Sequence, residues 1–115
     1  RPVAGAADLH AAREAAARVE VAPAVMAYLV DICRATRTSP AVRLGVSPRG
    51  ATALLRTSRV WAFLQGRGFV TPDDVKTMAP STLAHRLGLR AEANLEGITA
   101  VNVISGVLAA TPVPR

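Results

Sequence analysis

The apolar residues of this chain recur every three or four positions, which is the spacing of one face of an α-helix. A capping residue or a proline opens each such stretch, as at the start of a helix. Gly66–Gly68 closes one stretch, and Pro80 lies inside another, where it could kink or divide a helix. The pattern predicts five helices, over about residues 9–19, 23–36, 48–65, 72–86 and 99–109.

Few residues alternate between apolar and polar as those of a strand do. Val19–Val21 alternates briefly, and Leu87–Leu89 is long enough to pair with it, so the sequence is compatible with one very short strand pair. Residues 38–46 are predicted to be a loop, and residues 88–97 to be polar and irregular. We therefore predict an all-α fold, a small bundle of about five helices.

Length and composition fit one helical domain. The chain has 115 residues and begins with Arg1 rather than Met, so we expect a piece of a longer protein, with residues 1–7 as a linker and residues 8–115 as the domain. Charged residues make up only 19%, and part of the apolar surface is expected to be covered by another domain or subunit. On the third helix, the residues expected to be buried are Leu54, Leu55, Trp61, Ala62 and Leu64.

The side chains also limit the chemistry. The single cysteine, Cys33, argues against a disulfide framework, and no Cys/His cluster has the spacing of a metal site. No phosphate-binding loop, dinucleotide-binding turn or catalytic triad is recognisable. Residues 98–113, the most apolar stretch, are interrupted by polar residues and too few to cross a bilayer. We therefore expect no metal site, no self-sufficient catalysis and a soluble, cytoplasmic protein.

The chain is basic. Its net charge is +6, from thirteen Arg, one Lys and eight acidic residues. Such a charge could suit nucleic acid, a phosphorylated ligand or an acidic neighbour. The basic residues are scattered, however, and they form no run or recognition helix typical of nucleic-acid binding.

One helix start departs from the usual pattern. Ser47 is a preferred N-cap residue and Pro48 suits the first helical position, but Arg49 then places a cation at the positive end of the helix. The comparable start at Thr71 continues instead with two carboxylates, as the helix dipole favours. A guanidinium beside unpaired backbone N–H groups is a good binding site for phosphate. From the spacing alone, a solvated surface arginine is the alternative interpretation of Arg49.

Seven short runs of residues occur in the order found in one known family; they are Tyr28–Asp31, Ala35–Arg37, Gly45–Arg49, Leu54–Arg56, Gly66–Val75, Leu83–Arg86 and Pro112–Pro114. Together they resemble the C-terminal lid domain of MoxR-family AAA+ ATPases, from about residue 8 to the end of the chain. Gly50 departs from the pattern, because the family usually has Ala there.

The resemblance implies a role for the unusual helix start. In AAA+ proteins the lid closes over the nucleotide, and an arginine called sensor 2, at the start of its third helix, reaches the γ-phosphate of ATP. Arg49 matches sensor 2, and Ser47 and Pro48 would border the nucleotide. Tyr28 is a further candidate for the adenine side, although plain packing is the preferred interpretation of that residue.

The resemblance also implies a cofactor and partners. The cofactor is ATP with Mg²⁺, bound mainly by an AAA+ core domain that would precede this chain, so ATP hydrolysis is expected of the full-length protein and not of the fragment. The expected partners are that core, neighbouring subunits of a hexameric ring, and von Willebrand factor A-type domain proteins served by a chaperone-like machine. No membrane or nucleic acid is expected.

Two alternatives remain open from the residues themselves. The chain could be a stand-alone basic helical module that binds nucleic acid, or a bundle that only binds protein. The sequence upstream of this chain would separate these alternatives from an ATPase lid. The sequence does not assign roles to Arg37, Arg56, Arg59 and Arg67.

Overall fold

The fold is known from a computed structural model, which describes residues 5–114. Helices dominate it, so the predicted all-α class is confirmed. The described residues contain six helices and two very short strands. In chain order the elements are α1 (Ala6–Ala17), α2 (Pro23–Thr38), β1 (Val42–Leu44), α3 (Pro48–Leu64), α4 (Pro72–Leu83), β2 (Gly88–Leu89), α5 (Ala91–Leu95) and α6 (Ala100–Ala110).

The helices pack around one apolar core. Burying an aliphatic side chain of this size contributes about 1.5–3 kcal/mol before the entropy of ordering the chain is counted. On α3, Leu54 and Ala62 are fully buried as predicted, whereas Leu64 is 66% exposed because it lies in the last turn, at the edge of the core. The large, fully buried residues come from α2, α3, α4 and α6 and include Leu29, Ile32, Leu54, Val75, Leu83 and Ile104.

Cys33 belongs to this core, as its position on an apolar helix face predicts. Burial raises the pKa of its thiol to about 11, and the nearby charge of Arg37 offsets only part of that effect. The thiol is therefore protonated near neutral pH, where the thiolate that would react is scarce. Cys33 acts as a small packing residue.

The two strands form a short antiparallel ladder beside α2. Val42 lies opposite Leu89, and Leu44 lies opposite Gly88. Gly88 allows this close approach, because a Cβ at that position would lie 3.2 Å from the Cβ of Leu44. The ladder joins the connection between α2 and α3 to the segment that follows α4.

The strand pairing corrects one prediction. Leu87–Leu89 was expected to pair with Val19–Val21, but its strand pairs with the segment predicted as a loop. Glu20 instead makes an isolated bridge to Phe69, in the connection between α3 and α4. The prediction was wrong because alternation indicates an extended segment without indicating which segment lies beside it.

The first helix begins earlier than its periodicity indicates. α1 starts at Ala6 with Gly5 as its N-cap, and the carboxylate of Asp8 accepts a hydrogen bond from the Gly5 N–H at 3.1 Å. Asp8 therefore supports the helix from inside its first turn rather than as the cap. Most of the predicted linker, residues 1–4, lies outside the described residues, so its role as a linker stays a prediction.

The fourth helix ends earlier than predicted. It continues through Pro80 to Leu83, and a 3₁₀ turn over Ala84–Arg86 follows. Pro80 removes one backbone donor from the helix, yet α4 continues for one further turn beyond it before the α-helix ends. The segment predicted as irregular contains β2 and α5, and a five-residue helix is too short for periodicity to reveal.

A buried carboxylate holds the connection between α3 and α4. Asp74 is 2% exposed; one of its oxygens accepts a hydrogen bond from the Thr71 N–H at 2.7 Å, and the other accepts from the guanidinium of Arg67. The Thr71 hydroxyl accepts in return from the Asp74 N–H at 3.2 Å, which completes a capping box. Arg67, which the sequence left unassigned, therefore has a structural role.

Replacing this carboxylate tests its structural role. We expect Asp74→Ala to lower the free energy of unfolding by about 2–4 kcal/mol, because α4 loses the Asp74 half of its capping box and the half-buried Arg67 loses its counter-charge. Asp73→Ala is the matched control, since Asp73 occupies the same helical turn but is exposed. It should cost no more than about 0.3–1 kcal/mol, from the helix dipole alone. Urea unfolding of the three proteins measures both values, and equal effects would contradict the assignment.

Candidate functional site

The predicted site residues lie together at the start of α3, and all three are exposed. Ser47 is the N-cap, Pro48 is the first helical residue and Arg49 is the second. The Ser47 hydroxyl accepts a hydrogen bond from the Gly50 N–H at 3.3 Å, and the Ser47 carbonyl accepts from the Ala51 N–H at 3.1 Å. Pro48 has no N–H. Within residues 5–114, the Arg49 N–H is thus the backbone amide of this turn that has no hydrogen-bond partner. The sequence suggested several unpaired N–H groups at this helix start.

The charge of Arg49 is not compensated within the described part of the chain. The ion pairs found there join His10 to Glu14 and Arg67 to Asp74. The first turn of α3 holds no acidic residue. A cation at the positive end of a helix is mildly unfavourable. An anion from outside this domain would compensate both the guanidinium of Arg49 and the positive end of the helix dipole.

Two clefts flank this helix start, and Arg86 borders both. The first, of about 390 Å³, is lined by Arg49, Arg86, Arg56, Thr52 and Ala53. The second, of about 650 Å³, contains no acidic residue either. Its lining consists of Arg37, Arg43, Leu44, Gly45, Val46, Ser47, Pro48 and Arg86.

Arg86 is a candidate that the sequence analysis did not single out. It lies in the 3₁₀ turn after α4, and its Cδ would lie 3.4 Å from a Cβ on Gly50. The stem of the side chain therefore passes over the first turn of α3. Its signal in the sequence, Leu83–Arg86, was part of the family resemblance, but only the fold shows that this turn reaches the α3 start.

The backbone just before the cap is tied to α2. The Val46 N–H donates to the hydroxyl of Thr36 at 3.0 Å, and the Val46 carbonyl accepts from both Nε and Nη2 of Arg37, at 3.2 and 3.1 Å. Val46 and Thr36 are fully buried. The direction in which the chain enters α3 is thus set by two side chains of another helix.

Tyr28, the candidate for the adenine side, is a core residue. It is 2% exposed, so its ring is not free to contact a ligand. The pKa of its hydroxyl is raised, first by burial and second by the negative charge of Asp73. The structure thus agrees with the packing interpretation of Tyr28.

A second basic groove lies between α1 and α3. Its cavity of about 440 Å³ is bordered by Arg13, Arg56 and Arg59, with apolar contributions from Val60 and the alanines of α1.

Among residues 5–114, no helix combines the length and apolar character that crossing a bilayer requires. Within the same range, no three His, Cys, Asp or Glu side chains gather as metal ligands would.

The family model described as the AAA lid domain matches residues 34–107. The chain belongs to this family. The match includes α3 with its unusual start, both strands and the 3₁₀ turn that carries Arg86. The basic helix start therefore belongs to a lid.

Curated relatives and a solved structure narrow the kind of lid. The chain is 45% identical over 87 residues to the uncharacterized protein YeaC of Bacillus subtilis, covering 76% of this chain and 27% of YeaC. It is 32% identical to the chaperone MoxR1 of Mycobacterium tuberculosis, covering 94% of this chain and 31% of MoxR1. A crystal structure from Cytophaga hutchinsonii, described as a candidate ATPase, matches with a TM-score of 0.83 and 26% identity, over 89% of this chain and 34% of that one.

These matches identify the chain as the lid region of a MoxR-family AAA+ ATPase, as the sequence motifs predicted. The chain spans only about a third of the length of the relatives it matches. The family match leaves out α1 and the first part of α2, whereas the alignment with MoxR1 covers 94% of this chain.

Gly50 lies directly against the side chain of Val46. A Cβ on Gly50 would lie 2.4 Å from Cγ1 of Val46, and the β-branched valine is buried and cannot rotate away cheaply. The two positions therefore share one volume at the base of the α3 start.

A double-mutant cycle tests this shared volume. In the lid, Gly50→Ala should destabilise by about 1–3 kcal/mol through overpacking, and Val46→Ala by about 2 kcal/mol through lost burial. The double variant should cost less than the sum by at least about 1 kcal/mol, measured by urea unfolding, because the new methyl group occupies the space that valine leaves. Gly106→Ala is the control: the site on α6 is open, so it should stabilise by about 0.5–1 kcal/mol. Additive costs would contradict the shared volume.

Proposed function

We propose that Arg49 is the sensor 2 residue of this lid and contacts the γ-phosphate of ATP held by the core domain of the parent protein. The observation that carries the proposal is an exposed guanidinium at a helix start with no counter-charge in the described residues. The backbone N–H of the same residue, without a hydrogen-bond partner in the described residues, offers a second donor at this helix start. Ser47 and Pro48 border the nucleotide, and the family match supports the assignment.

The contact would make the lid sensitive to ATP hydrolysis. A hydrogen bond between a guanidinium and a phosphate oxygen is worth about 1.5–3 kcal/mol. Loss of the γ-phosphate removes that contact, so the closed orientation of the lid is favoured with ATP and less favoured with ADP. The planar guanidinium suits this task because it can bind two phosphate oxygens at once.

The parent protein would supply the rest of the chemistry. We propose that a preceding AAA+ core binds ATP with Mg²⁺ and hydrolyses it, since the lid alone offers one guanidinium, one amide and the neighbouring Arg86. We also propose a cytoplasmic, ring-shaped hexamer that acts as a chaperone on partner proteins, with von Willebrand factor A-type domains as the expected clients. The name of MoxR1 as a chaperone supports that role.

Exposed apolar residues support burial of part of this surface in the parent protein. Val60 and Leu64 on α3 are 45% and 66% exposed, and Leu95 on α5 is 88% exposed. Val60 and Leu64 lie one turn apart and border the same pocket, so they form an exposed apolar patch of the kind that another domain covers. Together with the family match, this favours a lid over the stand-alone module that binds nucleic acid.

Replacing Arg49 in the full-length protein tests the proposal. Arg49→Ala should reduce ATP hydrolysis by about one to two orders of magnitude, the rate equivalent of one charge-assisted contact. The free energy of unfolding should change by no more than about 0.5 kcal/mol, because the side chain is exposed. Arg49→Lys should recover only part of the activity, since an ammonium keeps the charge but not the fork. Steady-state phosphate release and urea unfolding provide both measurements.

Arg90→Ala is the control for this experiment. Arg90 is also an exposed arginine at a helix start, the N-cap of α5, but it borders neither cleft beside Arg49. Its replacement should leave ATP hydrolysis near the wild-type rate. Wild-type hydrolysis by Arg49→Ala would show that Arg49 is a surface arginine and not a sensor.

A further inference from the structure

We propose that Arg37, assisted by Thr36, is the positioning residue that aims Arg49. The two side chains hold the backbone of Val46 from both sides and so fix the direction in which the chain enters α3. The inference rests on the proposed role of Arg49, and it adds two residues of α2 that act through the backbone of Val46 rather than through the phosphate.

Thr36 holds the amide side of Val46. Its hydroxyl donates to the Cys33 carbonyl at 2.6 Å and accepts from the Val46 N–H at 3.0 Å. The first bond orients the hydroxyl, so its free lone pairs face the amide. Both residues are fully buried, and an unpaired amide there would be costly. This bond therefore holds Val46 at a defined place on α2.

Arg37 holds the carbonyl side of the same residue. Its Nε and Nη2 both donate to the Val46 oxygen, at 3.2 and 3.1 Å. Two donors on one acceptor fix its direction better than one, and the rigid geometry of guanidinium supplies both at once. Neither ion pair found in residues 5–114 involves Arg37. Within those residues its donors therefore serve this carbonyl rather than a carboxylate.

Gly45 shows how closely this loop lies on α2. A Cβ at Gly45 would lie 2.5 Å from Cγ of Arg37 and 2.9 Å from its Cα. The backbone of the loop at Gly45 thus rests directly on Arg37, against both its backbone and the start of its side chain. Because no free space separates the loop from the helix here, a change at Arg37 displaces the loop.

The hydrogen bonds of Thr36 and Arg37 to Val46 form a clamp on that residue. The clamp acts on Arg49 because only Ser47 and Pro48 separate Val46 from Arg49. Val46 is followed by Ser47, in an extended conformation, and by Pro48, whose ring fixes its φ. Of the buried residues of α3, Gly50 packs against Val46 itself, and the next ones, Leu54 and Ser58, lie about one and a half and two and a half turns beyond Arg49. The orientation of the first turn therefore depends on the clamp more than on the core. Holding a functional group in its productive orientation raises affinity by avoiding the cost of ordering it.

The experiment compares nucleotide discrimination with stability in the full-length protein. The discrimination ratio is Kd for Mg-ADP divided by Kd for Mg-ATPγS, measured by fluorescence or calorimetric titration. Arg37→Ala should lower this ratio about three- to tenfold, as expected if the aimed orientation falls to roughly a tenth to a third of the population. Arg37→Lys, with its charge but without the fork, should give an intermediate ratio. Arg49→Ala should lower the ratio further than either variant.

Thr71→Ala separates positioning from general destabilisation. Thr71 caps α4 through a capping box, so its loss should lower the melting temperature about as much as the loss of the clamp does. It lies outside both clefts beside Arg49. Thr71→Ala should leave the discrimination ratio unchanged, whereas a merely structural role of Arg37 would make the two variants alike.

Each outcome decides between the two proposals. An unchanged ratio in Arg37→Ala and Arg37→Lys, with a reduced ratio in Arg49→Ala, would overturn the positioning role and leave the sensor intact. An equal reduction in Thr71→Ala would also overturn the positioning role. An unchanged ratio in all variants, Arg49→Ala included, would overturn both proposals. If Arg37→Ala fails to fold, Arg37→Lys carries the test.

Discussion

Asp74 is a charged side chain buried within the described residues, and the arrangement of α3 and α4 depends on how that charge is compensated. The carboxylate accepts hydrogen bonds from the Thr71 amide and from the guanidinium of Arg67. It therefore joins the segment that follows α3 to the first turn of α4. α3 and α4 share the largest interface between elements of the described residues. A buried carboxylate is tolerable only with partners of this quality, and here the partners lie on the connection itself. The turn between the two helices is therefore fixed, and α3 has a fixed axis.

At the N-terminal end of α3, by contrast, an exposed charge has no partner in the described residues. Its start has the same cap and proline as α4, but an exposed cation takes the place of the carboxylates. The resulting positive charge is not balanced by any ion pair within residues 5–114. Under the proposed sensor role, an anion presented by the core domain would complete the site only when the two domains approach. The polypeptide thus compensates the charge at one end of α3 internally and leaves the cation at the other end without a counter-charge in the described residues.

The sequence predicted the parts of this fold that depend on local chemistry. The caps at Ser47 and Thr71 and the long amphipathic helices follow from side-chain propensities and spacing, and the structure has them. The predicted partner of the Leu87–Leu89 strand was wrong, and the position of Arg86 beside the start of α3 was not predicted. Both depend on which distant segments of the chain pack together. The clamp on Val46 was equally invisible, since Arg37 and Thr36 look like ordinary residues of a helix end. Arg49 could be singled out because it breaks a local rule, and such breaks are visible without a fold.

The central claim is that Arg49 meets the γ-phosphate when the lid closes. The most direct measurement is a structure of the full-length protein with Mg²⁺ and a non-hydrolysable ATP analogue, compared with its ADP complex. The claim predicts a guanidinium nitrogen of Arg49 at about 2.7–3.2 Å from a γ-phosphate oxygen in the first complex, and no phosphate contact from Arg49 in the second. An Arg49 side chain in solvent, with the γ-phosphate bound entirely by other residues, would contradict it.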